Sequence, residues 1–255
     1  MELKKLYDPV AKFYDIEHQD FRSDIPLYLE EARKVKGPVL ELASGTGRIT
    51  LELAKQGIEI TGLDISKAML DVAKEKTSAL EPDAQKRITW IHADMRSFDL
   101  GRKFSLIFIP FNSFQMLETR ADQEACLACV SRHLEKGGRF ILSVFAPSYD
   151  RIVKRSMFTY LGSHDLPDGS KLSRTESAKY DHVNQMISVE WIYDVVDPQG
   201  NLKRTLWRFP VRYLWRFEAE LLLEKAGMKV ENLYGDYSRR EFDHNGSMIF
   251  VAAKA

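Results

Sequence analysis

Residues 39–50 read VLELASGTGRIT. Val39, Leu40 and Leu42 form a short apolar run, Gly45 and Gly47 break it, and apolar residues then recur at helical spacing through GRITLELAKQG. This is the pattern of a strand, a tight turn and a helix. Glycine in such a turn lets the backbone come close to a ligand, because a Cβ would occupy that space. In an open α/β sheet the turn lies at the carboxyl ends of the strands, near the topological switch point where ligands bind. Glu41 is the acid inside the apolar run. Near the end of its strand, its carboxylate is placed to accept hydrogen bonds from a bound cation or to be fixed by neighbouring amides.

Working outward, residues 38–146 alternate short apolar runs with longer amphipathic ones. PVLELA, IEITGLDI, RITWIHAD, FSLIFIPF and RFILSVFA are rich in β-branched and aromatic residues and predict strands. GRITLELAKQG, SKAMLDVAKEKTSAL and DQEACLACVSRHLEKGG predict helices that stop at Gly57 and at the pair Gly137 and Gly138. Such alternation implies a parallel sheet covered by helices on both faces, a doubly wound α/β domain. Ahead of it, YDPVAKFYDIEHQDFRSDIPLYLEEARKVKG predicts amphipathic helix packed on the sheet, broken near Asp24 and Pro26.

After Pro147 the rhythm changes to SMFTYLGS, SRTESAKYDHV, QMISVEWIYDVVD and LKRTLWRFPVRYLW, four strand-like runs with a turn at DPQGN, residues 197–201. They predict an antiparallel insertion after the fifth strand, carrying Trp191, Trp207 and Trp215. EAELLLEKAGMKVENLYGDYS and SMIFVAAKA then return to helix, strand and strand, completing a mostly parallel, seven-stranded Rossmann-like sheet. The expected organisation is a helical cap (1–37), an α/β core (38–150), a β insertion serving as lid or dimer element (151–215), and a last helix and strands (216–255).

The 255 residues are 44% hydrophobic and 29% charged, the composition of a globular chain. Its 37 basic and 37 acidic residues cancel, so no broad positive field favours nucleic acid or an anionic membrane, and neither is expected as a partner. No apolar stretch approaches the roughly 18 residues of a membrane span, and MELKKLYDPVAKFYD lacks the apolar core of a secretion signal. The expected location is cytoplasmic. Cys126, Cys129 and His133 share a helix face, but no second ligand pair accompanies them. They are read as core residues, and no metal site is assigned.

The glycine turn suits two cofactor classes. A dinucleotide fingerprint needs G-x-G-x-x-G/A, and GTGRIT puts Thr50 where the third small residue belongs. ELASGTG instead resembles the first motif of the class I S-adenosylmethionine-dependent methyltransferases, acid-x-Gly-x-Gly-x-Gly, with Glu41, Gly45 and Gly47 matching and Ala43 in place of the first glycine. Three further stretches fall in the family's order at successive strand ends: ITGLDIS, IHADM and FIPFNSFQML. The resemblance implies S-adenosyl-L-methionine as cofactor. It implies that Asp64, followed by Ile65, accepts hydrogen bonds from both ribose hydroxyls, a task suited to two carboxylate oxygens. It further implies that Asp94 receives the adenine amino group, that the Met95 backbone contacts the ring, and that Tyr14, in an early YD helix, covers the cofactor. Each acid also has a local reading, Asp64 as a cap of the next helix and Asp94 as a turn cap.

Among subfamilies the chain looks most like small-molecule methyltransferases, including those acting on amino sugars and glycine-like amines, which carry a β insertion after the fifth strand. Pro110, Phe111, Asn112 and Ser113 stand where many nucleic-acid and protein-glutamine N-methyltransferases carry an NPPY-type motif. That argues against a flipped base as substrate. Phe111 would line the boundary between cofactor and acceptor, and Asn112 would meet the acceptor. Methyl transfer to nitrogen or oxygen is an in-line displacement that needs alignment more than acid or base. His18, His164, His182 and His244 lie outside the predicted core strands and nothing in their spacing singles one out, so no catalytic residue is assigned. The insertion's aromatics would serve equally as the lid of an acceptor pocket or as a homodimer interface. The competing reading is a non-catalytic protein that keeps the fold and binds the cofactor or a partner.

Overall fold

The computed structural model describes residue 7, residues 9–244 and residues 246–254, so residues 1–6 and Asp8 of the expected helical cap lie outside the described residues. The chain opens with two helices, α1 (Ala11–His18) and α2 (Ile25–Lys34), with Pro26 in the first turn of α2 as its missing N–H allows. Then come β1 (Val39–Leu42), α3 (Arg48–Lys55), β2 (Ile60–Asp64), α4 (Lys67–Ser78), the short α5 (Pro82–Gln85) and β3 (Ile88–His92). The chain crosses to β4 (Phe104–Ile109), makes a 3₁₀ turn at Ser113–Met116, and continues through α6 (Arg120–His133), β5 (Leu134–Phe145) and α7 (Tyr149–Lys154). Four long strands come next, β6 (Ser156–Asp165), β7 (Lys171–Asp181), β8 (Met186–Val196) and β9 (Leu202–Arg212), before α8 (Arg216–Lys225), β10 (Met228–Tyr234) and β11 (Ser247–Lys254) close the chain.

The main sheet has seven strands in the order β10-β11-β5-β4-β1-β2-β3. β1 pairs in parallel with both β2 and β4, whereas β11 runs antiparallel to β5 and β10. The strand order reverses between β1 and β4, which puts a crevice at their carboxyl ends. Alternation along β1 divides the core. Leu40 and Leu42 pack with Ile107, Ile109, Leu127 and Val130 on the face covered by α6 and α8. Val39 packs with Leu27, Tyr28, Ile49 and Leu53 on the face covered by α2 and α3, where the Tyr28 ring stacks on Phe108 at 4.5 Å. β6 to β9 form a separate antiparallel meander in chain order. Pro210, which cannot donate to a ladder, lies on its edge strand β9.

One boundary departs from expectation. α6 ends at His133 rather than at Gly137 and Gly138, because Leu134 turns extended and is fully buried opposite Phe104. Residues 135–138 loop out as the pairing jumps from Phe104 with Leu134 to Leu106 with Arg139. Burying the leucine wins over another exposed helical turn. Cys126 and Cys129 are buried in the core, and His133 bonds inside the protein, its Nδ1 2.8 Å from the Cys129 carbonyl and its Nε2 accepting the Leu100 N–H at 3.0 Å. Among the described residues no helix is long and apolar enough to cross a membrane.

Candidate active site

The turn between β1 and α3 is built from left-handed residues, with φ of 56° at Ala43, 55° at Gly45 and 80° at Gly47. The two glycines serve different ends. A Cβ on Gly47 would come within 2.6 Å of the Trp90 ring, so that glycine is required for packing. A Cβ on Gly45 would meet no protein atom within 4 Å, so that glycine keeps a space open. Ala43 bears a strain that a glycine would not, about 1 kcal/mol.

A narrow cavity of about 80 Å³ lies against this turn at the strands' carboxyl ends. Of the residues expected from sequence, Tyr14, Ala43, Gly45, Asp64, Ile65, Asp94 and Met95 line it together. Asp64 ends β2 with Oδ2 accepting the Gly45 N–H at 2.7 Å and Oδ1 accepting the Ser66 N–H at 2.8 Å. It is not the cap of α4; the Ser66 hydroxyl takes that role by accepting the Met69 N–H. Burial, partly offset by these amides, pushes the Asp64 pKa up. Asp94 is gripped by Arg96, whose Nη2 donates to Oδ2 at 2.6 Å and whose amide donates to Oδ1 at 2.9 Å. Burial alone would raise its pKa, but the Arg96 bonds outweigh it and hold the carboxyl below its ordinary range. Arg96 also pairs with Asp122 at 2.7 Å.

Glu41 and Gly47 do not line the cavity. Glu41 shares the parity of Val39, so its side chain points under α3, where it is 2% exposed and accepts a hydrogen bond from the Thr50 hydroxyl. Burial raises its pKa to about 8, against the lowering effects of the Thr50 bond and of Arg48. Thr50, which disqualified the dinucleotide fingerprint, is therefore the partner of the buried acid.

A second cavity of about 490 Å³ adjoins the first and shares Tyr7, Tyr14, Ser113 and Met116 with it. Phe111 and Asn112 line this larger one, in consecutive left-handed conformations with φ of 57° and 65°. Its far wall comes from the β insertion, through Trp191, Trp207, Phe209 and Tyr213. His18 lines it as well, whereas His164, His182 and His244 line neither cavity. The His18 Nδ1 is 2.8 Å from the Tyr14 carbonyl, an acceptor, so Nδ1 carries the proton and Nε2 keeps its lone pair. Burial is the main cause that lowers the His18 pKa, assisted by Arg174 and Arg48.

Sequence reasoning passes over the residues that hold this arrangement. Tyr7, Leu63, Met69, Ala93, Ser113, Met116 and Leu117 complete the smaller cavity, and their apolar spacing resembles ordinary core. Asp15 ties α1 to the glycine turn by accepting the Thr46 hydroxyl at 2.6 Å and the Lys76 ammonium at 2.9 Å. Arg48 opens α3 and pairs with the fully buried Asp24, 2.7 Å from Nη1 to Oδ1. The signal for Asp15 is the YD pair itself, in which the family resemblance gives a role to the tyrosine alone.

Residues 39–138 match the sequence model of a family described as a methyltransferase domain. A dTDP-3-amino-3,4,6-trideoxy-alpha-D-glucopyranose N,N-dimethyltransferase of Streptomyces venezuelae is 28% identical over 227 residues, covering 86% of this chain and 86% of that protein. A demethylmenaquinone methyltransferase of Tropheryma whipplei (strain Twist) is 26% identical, covering 81% of this chain and 86% of its own. The solved structure of the CcbJ methyltransferase from Streptomyces caelestis superimposes with a TM-score of 0.83 over all of both chains at 26% identity.

Proposed function

We propose that the chain is a class I S-adenosylmethionine-dependent methyltransferase with a small-molecule acceptor, and that it methylates an acceptor nitrogen by in-line displacement, the cofactor in the smaller cavity and the acceptor in the larger. The observation that carries this reading is the wall of four residues common to both cavities. Orienting two reactants across such a junction is worth on the order of 7–11 kcal/mol in favourable intramolecular systems. The choice of nitrogen rests on the likeness to an N,N-dimethyltransferase of an amino sugar.

When bound, S-adenosylmethionine supplies a methyl group activated on a sulfonium sulfur. The donor set of the smaller cavity suits the rest of that molecule. Asp64 has given one lone pair of each oxygen to a backbone amide and keeps others for two ribose hydroxyls. Asp94 and the Met95 backbone would meet the adenine edge, Ile65 and Met69 its apolar face, and the open space beside Gly45 the chain of the methionine part. Tyr14 would close over them from α1, and residues 151–215 act as the lid of the acceptor cavity.

A nitrogen attacks only through its lone pair, so a protonated amine must first lose its proton. We assign that proton to His18, which lines the acceptor cavity and whose Nδ1 already carries a proton toward the Tyr14 carbonyl, so that Nε2 is its acceptor. With methyl-labelled S-adenosylmethionine and an amine-bearing metabolite fraction, label should enter new products at a rate that rises as the amine deprotonates. His18→Gln should move that rise to higher pH without weakening cofactor binding. Products labelled only on oxygen, with no amine titration in the profile, would end the nitrogen reading.

A further inference from the structure

Resting on that reading, we infer that the acceptor is an amine with a large, apolar, uncharged body, its nitrogen at the wall by Tyr14 and its body against the aromatic face of the β insertion. The larger cavity, about 490 Å³, has room for far more than an amino group. Trp191, Trp207 and Phe209 form one continuous wall, with ring centroids 5.1 Å apart between Trp191 and Trp207, 4.2 Å between Trp207 and Phe209, and 5.2 Å between Trp191 and Phe209. Ile187 and Val211 extend it. Among the described residues, the only Lys, Arg, Asp or Glu lining the cavity are Arg151 and Glu176. They face each other at 4.0 Å, and Glu176 also accepts the Trp191 indole N–H at 2.9 Å.

This charge balance decides between acceptor bodies. A sugar carried on a nucleoside diphosphate would bring several negative charges, each of which needs a cationic or amide partner once out of water. Arg151, half-exposed and 4.0 Å from Glu176, is the single Lys or Arg lining the cavity among the described residues, too few for several phosphate charges. An alkyl or ring-bearing amine asks for none of this.

The test is calorimetric titration of n-alkylamines, from propyl to octyl, and of thymidine diphosphate into the protein saturated with S-adenosylhomocysteine. Kd should fall about fourfold with each methylene until the cavity is full, and thymidine diphosphate should give no binding. Phe209→Ala should weaken that dependence while S-adenosylhomocysteine binding stays intact; Phe209→Leu, which keeps the wall apolar, serves if the alanine variant fails to fold. A series independent of chain length, or thymidine diphosphate binding more tightly than octylamine, would overturn the inference. If the series behaves as expected but no amine is methylated when S-adenosylmethionine replaces the product, the proposal of nitrogen transfer fails and the inference about the pocket survives.

Discussion

Three carboxylates at neighbouring strand ends have three different environments, and the difference is set by where each backbone points its side chain. Asp64 faces the cavity with free lone pairs, Asp94 faces it through Arg96, and Glu41 turns away beneath α3. Asp64→Asn keeps one oxygen to accept a backbone amide, gives up the other such contact, and removes the charge that strengthens hydroxyl binding, so S-adenosylmethionine affinity should fall about tenfold or more by calorimetry. Glu41 governs stability instead. Its carboxyl has an ordinary value of 4.5 when unfolded and about 8 when folded, so folding favours the protonated form. The stabilisation is complete below pH 4.5 and is lost as pH rises through 8, a swing on the order of 3–5 kcal/mol. Glu17, raised to about 7 by burial against the opposing pull of Arg174, adds to the same trend. Thermal melts of the unliganded protein should therefore drop between pH 5 and 8, and Glu41→Gln should drop less. Equal slopes for the two proteins would refute the assignment.

Among the elements, α1 is the one that decides access. With Tyr7 and Tyr14 lining it, the smaller cavity has about 80 Å³, less than the roughly 300 Å³ of a typical ligand pocket. Entry of a nucleoside is therefore expected to require movement of α1, which carries Tyr14. The tether that resists this is Asp15, bonded to Thr46 and Lys76 and partly exposed. Removing it with Asp15→Ala should speed cofactor association in stopped flow about fivefold, the equivalent of ~1 kcal/mol for a hydrogen bond of this kind, and should speed release at least as much. An unchanged association rate would mean that α1 does not gate entry. The strands of the insertion carry a different lesson. Their alternation was legible, but which of the two faces met the acceptor cavity was not, because a period of two marks both faces equally. Contact with the core chose Trp191, Trp207 and Phe209.

For the molecule as a whole, cofactor binding and folding are linked. At a hundredfold excess over Kd, S-adenosylmethionine should stabilise the protein by about 2.7 kcal/mol, raising Tm by roughly 5–10 °C for a chain of this size. Asp64→Asn, binding about tenfold more weakly, should show about half of that rise at the same concentration. How far this behaviour is legible in the chain depends on the range of the interactions involved. The doubly wound core, the β insertion, the glycine turn and the presence of acids at the strand ends were legible in the sequence, since strand and helix periods, turn glycines and strand-end acids are local patterns written over a few residues. Only the tertiary structure decided that Glu41 lies outside the cavity, that Arg96 grips Asp94, that α6 stops at Leu134, and that His18 faces the acceptor space. Each of these depends on which partner a side chain meets after folding. Asp15 and Lys76, 61 residues apart, leave no trace of their pairing in the spacing of the chain.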